Sequence, residues 1–166
     1  MMQVAEHAAA ENKVYMLNLA APFIVQFFGE PLAAVMPYTD FVFANESEAA
    51  EYGKARGWGE DVAEVAKKLS MEPKVNGKRP RTVVFTQGSE QTIVAVNGET
   101  TAFPVVPLAK ELLVDTNGAG DAFVGGFLSQ LVKGQEVSRA VEAGHYAARE
   151  VIQQSGCKLV GKPAFA

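Results

Sequence analysis

The chain alternates between short apolar runs and longer stretches in which apolar residues recur every three or four positions. The short runs predict buried strands at residues 14–17, 40–44, 82–85, 92–96, 100–103 and 112–114. The longer stretches predict helices with one apolar face at residues 1–12, 22–28, 31–36, 46–56, 60–69, 120–133 and 137–154. Strands and helices therefore alternate along most of the chain.

Four local signals mark the ends of these elements. Asn97-Gly98 is a strong hairpin signal between two β-rich runs. Asn45 precedes a helical stretch and is a favoured helix cap, whereas Gly156 suits a left-handed turn that ends the last helix. The basic stretch 74–81 follows Pro73 and contains Gly77 and Pro80, which predicts a solvated loop.

The order of these elements indicates an α/β fold with a mainly parallel sheet and helices on both faces. The hairpin adds an antiparallel pair near one edge. Because no repeat, low-complexity tract or linker divides the sequence, we expect a single domain over residues 1–166. Ligands of such sheets bind beyond the carboxyl ends of the strands, and the turn that follows Val114 lies at such an end.

Composition and charge narrow the classes of function. The 166 residues are 48% hydrophobic and 20% charged, which is typical of a globular protein with a buried core. With a formal charge of −4 and scattered lysines, we expect neither a nucleic-acid polymer nor a membrane surface as partner. No apolar run approaches the roughly 20 residues of a membrane span, and the N-terminus lacks a signal-peptide pattern.

A single cysteine, Cys157, is present, so the sequence offers neither an intramolecular disulfide nor a cysteine-rich metal site. This suits a reducing compartment, and we expect a cytoplasmic protein, with the nucleus as an alternative. Cys157 is expected to be a small buried apolar residue. Phe123 and Phe127 fall at helical spacing and are expected in the core.

The most informative stretch is the glycine-rich segment 115–127, which reads Asp-Thr-Asn-Gly-Ala-Gly-Asp-Ala-Phe-Val-Gly-Gly-Phe. Gly118 and Gly120 let the backbone approach a ligand closely and adopt positive φ, so successive N–H groups can converge on an anion. The helix that follows adds its positive end. This combination predicts a cradle for phosphoryl oxygens.

Asp121 lies in the first turn of that helix. A carboxylate there can accept the proton of an alcohol that attacks a terminal phosphate, and the helix dipole favours its ionised form. Phosphoryl transfer needs little beyond positioning and charge neutralisation. Asp121 is therefore the candidate catalytic base.

A glycine-rich turn has three other interpretations. For an isolated Gly-x-Gly-Asp, a tight strand-to-helix connection is the favoured explanation. The dinucleotide-binding fingerprint fails because Phe123 occupies its third glycine position and the motif comes late in the chain. A P-loop fails because no Gly-Lys-Ser/Thr follows the glycines.

The complete segment 115–127 resembles the C-terminal signature of the PfkB kinases, which have a ribokinase-like fold. The resemblance implies transfer of phosphate from ATP, with Mg²⁺, to a hydroxymethyl group of a sugar or nucleoside. It implies that Gly118, Ala119 and Gly120 form an anion hole and that Asp121 deprotonates the acceptor. Asn117, where sugar kinases often carry threonine, is typical of the adenosine kinases and implies a contact with adenosine.

Further segments resemble those kinases in the same order, namely residues 17–24, 85–88, 143–148 and 155–157. Thr86, Gln87 and Gly88 match a segment that lines ATP, although a plain turn explains them equally well. His145 matches a residue near the adenine of ATP, with a packing histidine as the alternative.

Asn45 and Glu48 match an Asn-x-x-Glu element of the family, whose side chains organise the Mg²⁺ and phosphate water network. Taken alone, the same pair is an ordinary helix capping box. Beside the glycine-rich motif, we expect both roles, with any contact to Mg²⁺ passing through water.

By the same resemblance, the sequence corresponds to the C-terminal half of such a kinase. The early strands, the ribose-binding acidic residue and the lid of the N-terminal part are then missing, so the ribokinase-like fold is expected to be incomplete. An adenosine kinase is the first functional hypothesis. The alternatives are a PfkB-type sugar kinase and a truncated nucleotide-binding module that is inactive alone, and a complementing N-terminal segment is a candidate partner.

Overall fold

The computed structural model describes residues 1–75, 77–158, 161 and 163–165. These residues fall into two compact units, Met1–Ala102 and Phe103–Ala166. The expectation of one domain over the whole chain stays a prediction. No helix in the described ranges is long and apolar enough to cross a membrane.

The first unit holds a sheet and five α-helices. Its strands are β1 Met16–Asn18, β2 Phe41–Asn45, β3 Thr82–Thr86, β4 Gln91–Val96 and β5 Glu99–Pro104, which runs two residues past the unit boundary. Its helices are α1 Met2–Ala10, α2 Pro22–Phe27, α3 Gly29–Val35, α4 Glu46–Ala55 and α5 Val62–Met71, and a 3₁₀ turn spans Met36–Tyr38. The predicted elements are all present here, with bounds that differ by up to two residues.

The five strands form a mixed sheet in the order β1-β2-β3-β4-β5. The pairs β1/β2 and β2/β3 are parallel, and β3/β4 is antiparallel. Asn97 and Gly98 join β4 to β5 with φ of 51° and 81°, the positive values that a tight hairpin turn requires. The predicted antiparallel hairpin at the sheet edge is therefore confirmed.

Burial follows the alternation of each strand. One face of the sheet contributes Val42, Ala44, Val83, Phe85, Ile93 and Ala95 to a core that also contains apolar residues of α1 to α5. Phe43 and Val84, which point to the other face, are buried as well. Apolar burial on both faces is what an α/β sheet requires.

The described residues of the basic stretch 74–81 form a loop, as predicted, and residues 75, 77, 78 and 80 are exposed, but the side chains at its two ends are not solvated. The Lys74 side chain is buried and forms an ion pair with Asp40. The Arg81 side chain is fully buried and donates to the carbonyl oxygens of Met36, Thr39, Leu69, Glu72 and Pro73. Carbonyls at helix ends lack intrahelical donors, and one guanidinium satisfies several of them here. Asn76 lies outside the described residues.

We expect Arg81→Met to lower the free energy of unfolding by about 3 kcal/mol, because it leaves buried carbonyl groups without donors. Urea unfolding followed by circular dichroism measures the change. Lys67→Met, on the exposed side of α5, is the matched control and should change the stability by less than about 0.5 kcal/mol. Equal effects of the two substitutions would contradict the role given to Arg81.

The second unit contains α6 Ala119–Leu131, α7 Val137–Val151 and a 3₁₀ turn at Lys110–Leu112. The predicted strand at 112–114 is wrong. The N–H groups of Val114 and Asp115 both donate to the carbonyl of Ile152, over 2.9 Å and 3.2 Å, so a helix end satisfies them instead of a strand. A short apolar run does not by itself distinguish these cases.

The end of α7 also differs from the prediction. The helix stops at Val151 and Ile152 caps it in a right-handed conformation. Gly156 does have a positive φ of 73°, but it lies four residues beyond that cap. Its left-handed conformation belongs to a turn that follows the helix, so Gly156 is not the C-cap.

Two glycines allow α6 and α7 to approach closely. A Cβ atom on Gly126 would lie 2.3 Å from the carbonyl oxygen of Ala143, and one on Gly144 would lie 2.7 Å from the ring of Phe123. Phe123 and Phe127 are buried, as predicted. The helix pair therefore packs through small residues facing backbone and aromatic groups.

We expect Gly126→Ala to destabilise the protein by roughly 1–3 kcal/mol, because the methyl group overlaps backbone of α7 that cannot move independently. Gly125→Ala is the control, since a Cβ there meets nothing within 4 Å, and it should stabilise α6 by up to about 1 kcal/mol. Thermal unfolding of both variants gives the comparison. A stable Gly126→Ala variant would show that the two helices separate easily.

Candidate functional site

The glycine-rich turn enters α6 with Gly118 as the residue before its first helical position. Gly118 has φ 78° and ψ 0°, a left-handed conformation that favours glycine. A Cβ atom there would also lie 2.3 Å from the Cys157 sulfur. Conformation and space both require glycine at this position.

The backbone N–H groups of the turn differ in whether they have a hydrogen-bond acceptor. The Ala119 N–H donates to the Thr116 carbonyl over 3.2 Å. Gly120 and Asp121 lie in the first turn of α6, where N–H groups have no intrahelical acceptor. A Cβ on Gly120 would meet nothing within 4 Å. This open side of the turn can therefore admit an anion, with the Gly120 amide better placed to donate than the Ala119 amide.

Asp121 is exposed in the first turn of α6. The side chain is therefore accessible to a substrate. This is a property that a general base for an alcohol requires.

Asn117 is exposed immediately before Gly118. Its N–H donates to Asp115 Oδ1 over 2.9 Å, and its carbonyl lies 3.6 Å from the Cys157 sulfur. Cys157 is exposed, so its predicted burial is wrong. The Asn117 backbone is thus held on two sides.

His145 lies on α7 and is half-buried. Its ring centroid is 5.6 Å from that of Phe123, at an interplanar angle of 51°. Burial lowers the pKa of His145, and the nearby Glu142 opposes that change. Because a histidine starts near 6.5, the imidazole is neutral at pH 7 and can pack against another ring.

Asn45 and Glu48 form a complete capping box at the start of α4. Asn45 Oδ1 accepts the Glu48 N–H over 2.9 Å, while Glu48 Oε2 accepts the Asn45 N–H over 3.0 Å. Glu48 Oε1 also accepts from the Asn45 amide nitrogen over 2.9 Å. Burial raises the pKa of Glu48, and the bond from Asn45 opposes that change. The capping role is therefore present, and a role towards a metal stays a prediction.

Thr86, Gln87 and Gly88 form the end of β3 and the turn after it. Thr86 pairs with Asn45 across β2 and β3. The Gln87 amide nitrogen donates to the Gln91 carbonyl over 2.9 Å, and Gly88 has φ 55°. The parallel pairing of β2 and β3 brings Asn45 and Thr86 together at the carboxyl ends of their strands.

The predicted residues thus fall into two groups, one in each unit. Asn45, Glu48 and 86–88 belong to the first, whereas 117–121 and His145 belong to the second. Sequence reasoning missed Asp115, whose carboxylate accepts from the N–H groups of Asn117 and Gly156. The Asp-x-Asn spacing was the available signal, because an Asp side chain commonly accepts from the amide two residues ahead.

Comparison with known proteins gives a consistent relationship. The sequence model described as "pfkB family carbohydrate kinase" matches residues 1–164. Adenosine kinase 2 of Arabidopsis thaliana is 53% identical over 163 residues, which are 98% of this chain and 47% of that protein. Adenosine kinase of Dictyostelium discoideum is 48% identical, over 95% of this chain and 46% of that protein. The chain thus spans about half the length of the curated relatives it matches.

Solved structures agree with the sequence matches. Adenosine kinase of Anopheles gambiae, in complex with P1,P4-di(adenosine-5) tetraphosphate, has a TM-score of 0.89 at 47% identity, over 93% of this chain and 46% of that one. Adenosine kinase from Schistosoma mansoni, in complex with 2-fluoroadenosine, has a TM-score of 0.91 at 33% identity, over 96% and 47%. The sheet is accordingly that of the ribokinase-like fold, of which this chain holds an incomplete part. On the match over residues 1–164, the chain belongs to the PfkB family of carbohydrate kinases.

Proposed function

We propose that this chain carries the ATP-binding part and the catalytic base of an adenosine kinase. The reaction transfers the terminal phosphoryl group of ATP to the 5′-hydroxyl of adenosine and gives AMP and ADP, a step of purine salvage. The observation that carries this proposal is the left-handed Gly118 that opens α6 directly before the exposed Asp121. The names of relatives at 48% to 53% identity support adenosine as the acceptor.

Asp121 acts as the general base. As the 5′-oxygen bonds to the γ-phosphorus, its proton passes to the Asp121 carboxylate, and the bond from the γ-phosphorus to the bridging oxygen breaks. ADP leaves with that electron pair. Positioning of the hydroxyl and neutralisation of charge supply most of the rate in this type of reaction.

The anion hole of Gly118, Ala119 and Gly120 stabilises the charge on the transferred group. The open side of the turn and the N-terminal end of α6 favour negative charge there. Because the Ala119 N–H is engaged by Thr116, we assign the larger share to the Gly120 amide. Asn117, exposed beside the turn, is the candidate contact for adenosine.

On the ATP side, the proposed contacts are Asn45 and the segment 86–88, with His145 as a wall for the adenine. Two observations support these assignments. Asn45 and Thr86 are paired on neighbouring parallel strands, and the His145 ring packs against the ring of Phe123 while burial lowers its pKa. Asn45, Glu48 and Thr86 are polar groups near the ends of strands and the start of α4. Such positions suit phosphate and its bound water.

ATP-dependent kinases require a divalent cation, and we propose Mg²⁺. Among the residues that the structure describes, no three His, Cys, Asp or Glu side chains form a group that could hold a metal. We propose that phosphate oxygens and water hold most of this cation, with Asn45 and Glu48 orienting that water. The cation would neutralise phosphate charge, and the two hydrogen bonds from Asn45 would hold the Glu48 side chain in one orientation.

Two other functions remain as alternatives. A PfkB-type sugar kinase would use the same turn and base with a sugar hydroxyl, and the match to a family of carbohydrate kinases favours it. A nucleotide-binding module without turnover is the second, because the chain covers 47% of Arabidopsis adenosine kinase 2. A complementing N-terminal segment would then be the partner, and we expect the cytoplasm as the location.

Formation of AMP from adenosine, ATP and Mg²⁺ tests the proposal. The chain should be assayed alone and mixed with the part of Arabidopsis adenosine kinase 2 outside the match, with ribose as the competing acceptor. Turnover that depends on adenosine supports the proposal, whereas a preference for ribose favours the sugar kinase. Binding of MgATP without turnover in either assay favours the silent module.

A further inference from the structure

The Asp115 carboxylate joins two segments that are far apart in the sequence. Its Oδ1 accepts the Asn117 N–H over 2.9 Å, and its Oδ2 accepts the Gly156 N–H over 3.2 Å. The first bond lies within the glycine-rich turn, and the second reaches the segment after α7, 41 residues later. One side chain thus uses both of its oxygens to fix backbone on both sides of the turn.

Other contacts hold the same two segments together. The Ile152 carbonyl accepts from the N–H groups of both Val114 and Asp115. The Cys157 sulfur lies 3.6 Å from the Asn117 carbonyl and occupies the space beside Gly118. The segment 152–157 therefore contacts the turn through several groups and supports it.

We propose that Asp115 is a positioning residue for the phosphate-binding turn, holding residues 117–120 in register with the segment 152–157. This inference rests on the proposed function, because it assigns the turn to phosphate. Asp115 itself does not touch the phosphate. A carboxylate facing a phosphate would repel it, whereas both oxygens of Asp115 are occupied by backbone donors.

The geometry explains why a carboxylate stands at this position. Two donors arrive at different oxygen atoms, so two acceptors on one short side chain are needed. Asparagine offers one acceptor and places an NH₂ group against the second donor. Serine can accept from the amide two residues ahead but has no second oxygen. Substitution of Asp115 by asparagine or serine should therefore keep only one of the two hydrogen bonds.

The charge of Asp115 gives a spectroscopic signature. The hydrogen bonds from Asn117 and then Gly156 hold the pKa of Asp115 below its ordinary value. For an acid with a lowered folded pKa, the stabilisation is present above the unfolded pKa and is lost as pH falls through the folded pKa. The two amides should therefore lose their shared acceptor together, in acid below the ordinary range of Asp.

Other titratable groups on the surrounding elements must be separated from this signal. Glu111 precedes the turn, Asp121 lies on α6, Glu150 lies on α7, and Cys157 and Lys158 lie in the supporting segment. Hydrogen bonds, and no charged neighbour, lower the pKa of Asp115. A response shared by the Asn117 and Gly156 amides, and lost in a variant without the carboxylate, identifies Asp115.

The test uses the 166-residue chain and ¹⁵N NMR. In the wild type, the Asn117 and Gly156 amides should titrate with one common midpoint. In Asp115→Ser the Gly156 amide should exchange at least roughly tenfold faster while Asn117 keeps its protection, and in Asp115→Ala both should lose it. Glu111→Gln, which removes one exposed charge near the turn, should change neither amide.

Binding of MgATP, measured by calorimetry, connects this geometry to the site. Asp115→Ala should raise the Kd roughly tenfold, with partial recovery in Asp115→Ser. Separate titrations of the two amides, or an unchanged Kd in Asp115→Ala, would overturn the inference. A wild-type chain that binds no MgATP contradicts the proposed function, whereas the amide titrations need no ATP and decide the structural link independently.

Discussion

Asp121→Asn is expected to lower the rate of AMP formation by about 10²- to 10⁴-fold, the usual range for loss of a general base. The Kd of MgATP should stay within about twofold, because an amide of the same shape keeps the first turn of α6 intact. Rate assays under saturating adenosine and calorimetric titration with MgATP measure the two quantities. The wild type and the variant are compared either alone or in the mixture with the unmatched part of Arabidopsis adenosine kinase 2, whichever shows turnover for the wild type.

Asp61→Asn is the matched control for this substitution. Asp61 caps α5 and accepts the Glu64 N–H over 2.8 Å, and asparagine caps a helix about as well as aspartate. The control should therefore leave both folding and turnover unchanged. Full activity of Asp121→Asn would refute the base role, and loss of MgATP binding in that variant would move Asp121 into nucleotide binding.

The parts of the fold that sequence predicted best depend on neighbouring residues. Asn97-Gly98 specified the hairpin because both positions need positive φ, which the structure contains. Asn45 and Glu48 specified a cap because the reciprocal bonds span only three residues. The position of Gly118 before a helix, with Asp121 in its first turn, is local in the same sense.

Features that depend on distant residues were not predictable in the same way. Arg81 appeared as one charge in a basic stretch, but it binds carbonyls as far as 45 residues away. Cys157 looked like a buried apolar residue, and only the folded chain places its sulfur beside Gly118. The run at 112–114 looked like a strand because the Ile152 carbonyl, which accepts the Val114 N–H, comes much later in the sequence.

Gly118→Val is expected to reduce phosphoryl transfer by about 10²- to 10³-fold, as the loss of an anion-hole donor does. A β-branched residue is strongly disfavoured at the φ of 78° found here. Its Cβ would also meet the Cys157 sulfur at 2.3 Å. The turn must then change conformation, which would disrupt the proposed anion hole.

The same substitution at two nearby glycines separates backbone strain from blocking and from general damage. Gly120→Val should fold normally because a Cβ there meets nothing within 4 Å, yet its side chain should obstruct the phosphate and weaken MgATP binding. Gly125→Val, also in open space on α6, should retain binding and turnover. Unfolding curves identify Gly118→Val as the strained variant, since it alone should lose about 1–2 kcal/mol. If Gly118→Val kept wild-type turnover and stability, the turn would tolerate another conformation and the anion hole would have to lie elsewhere.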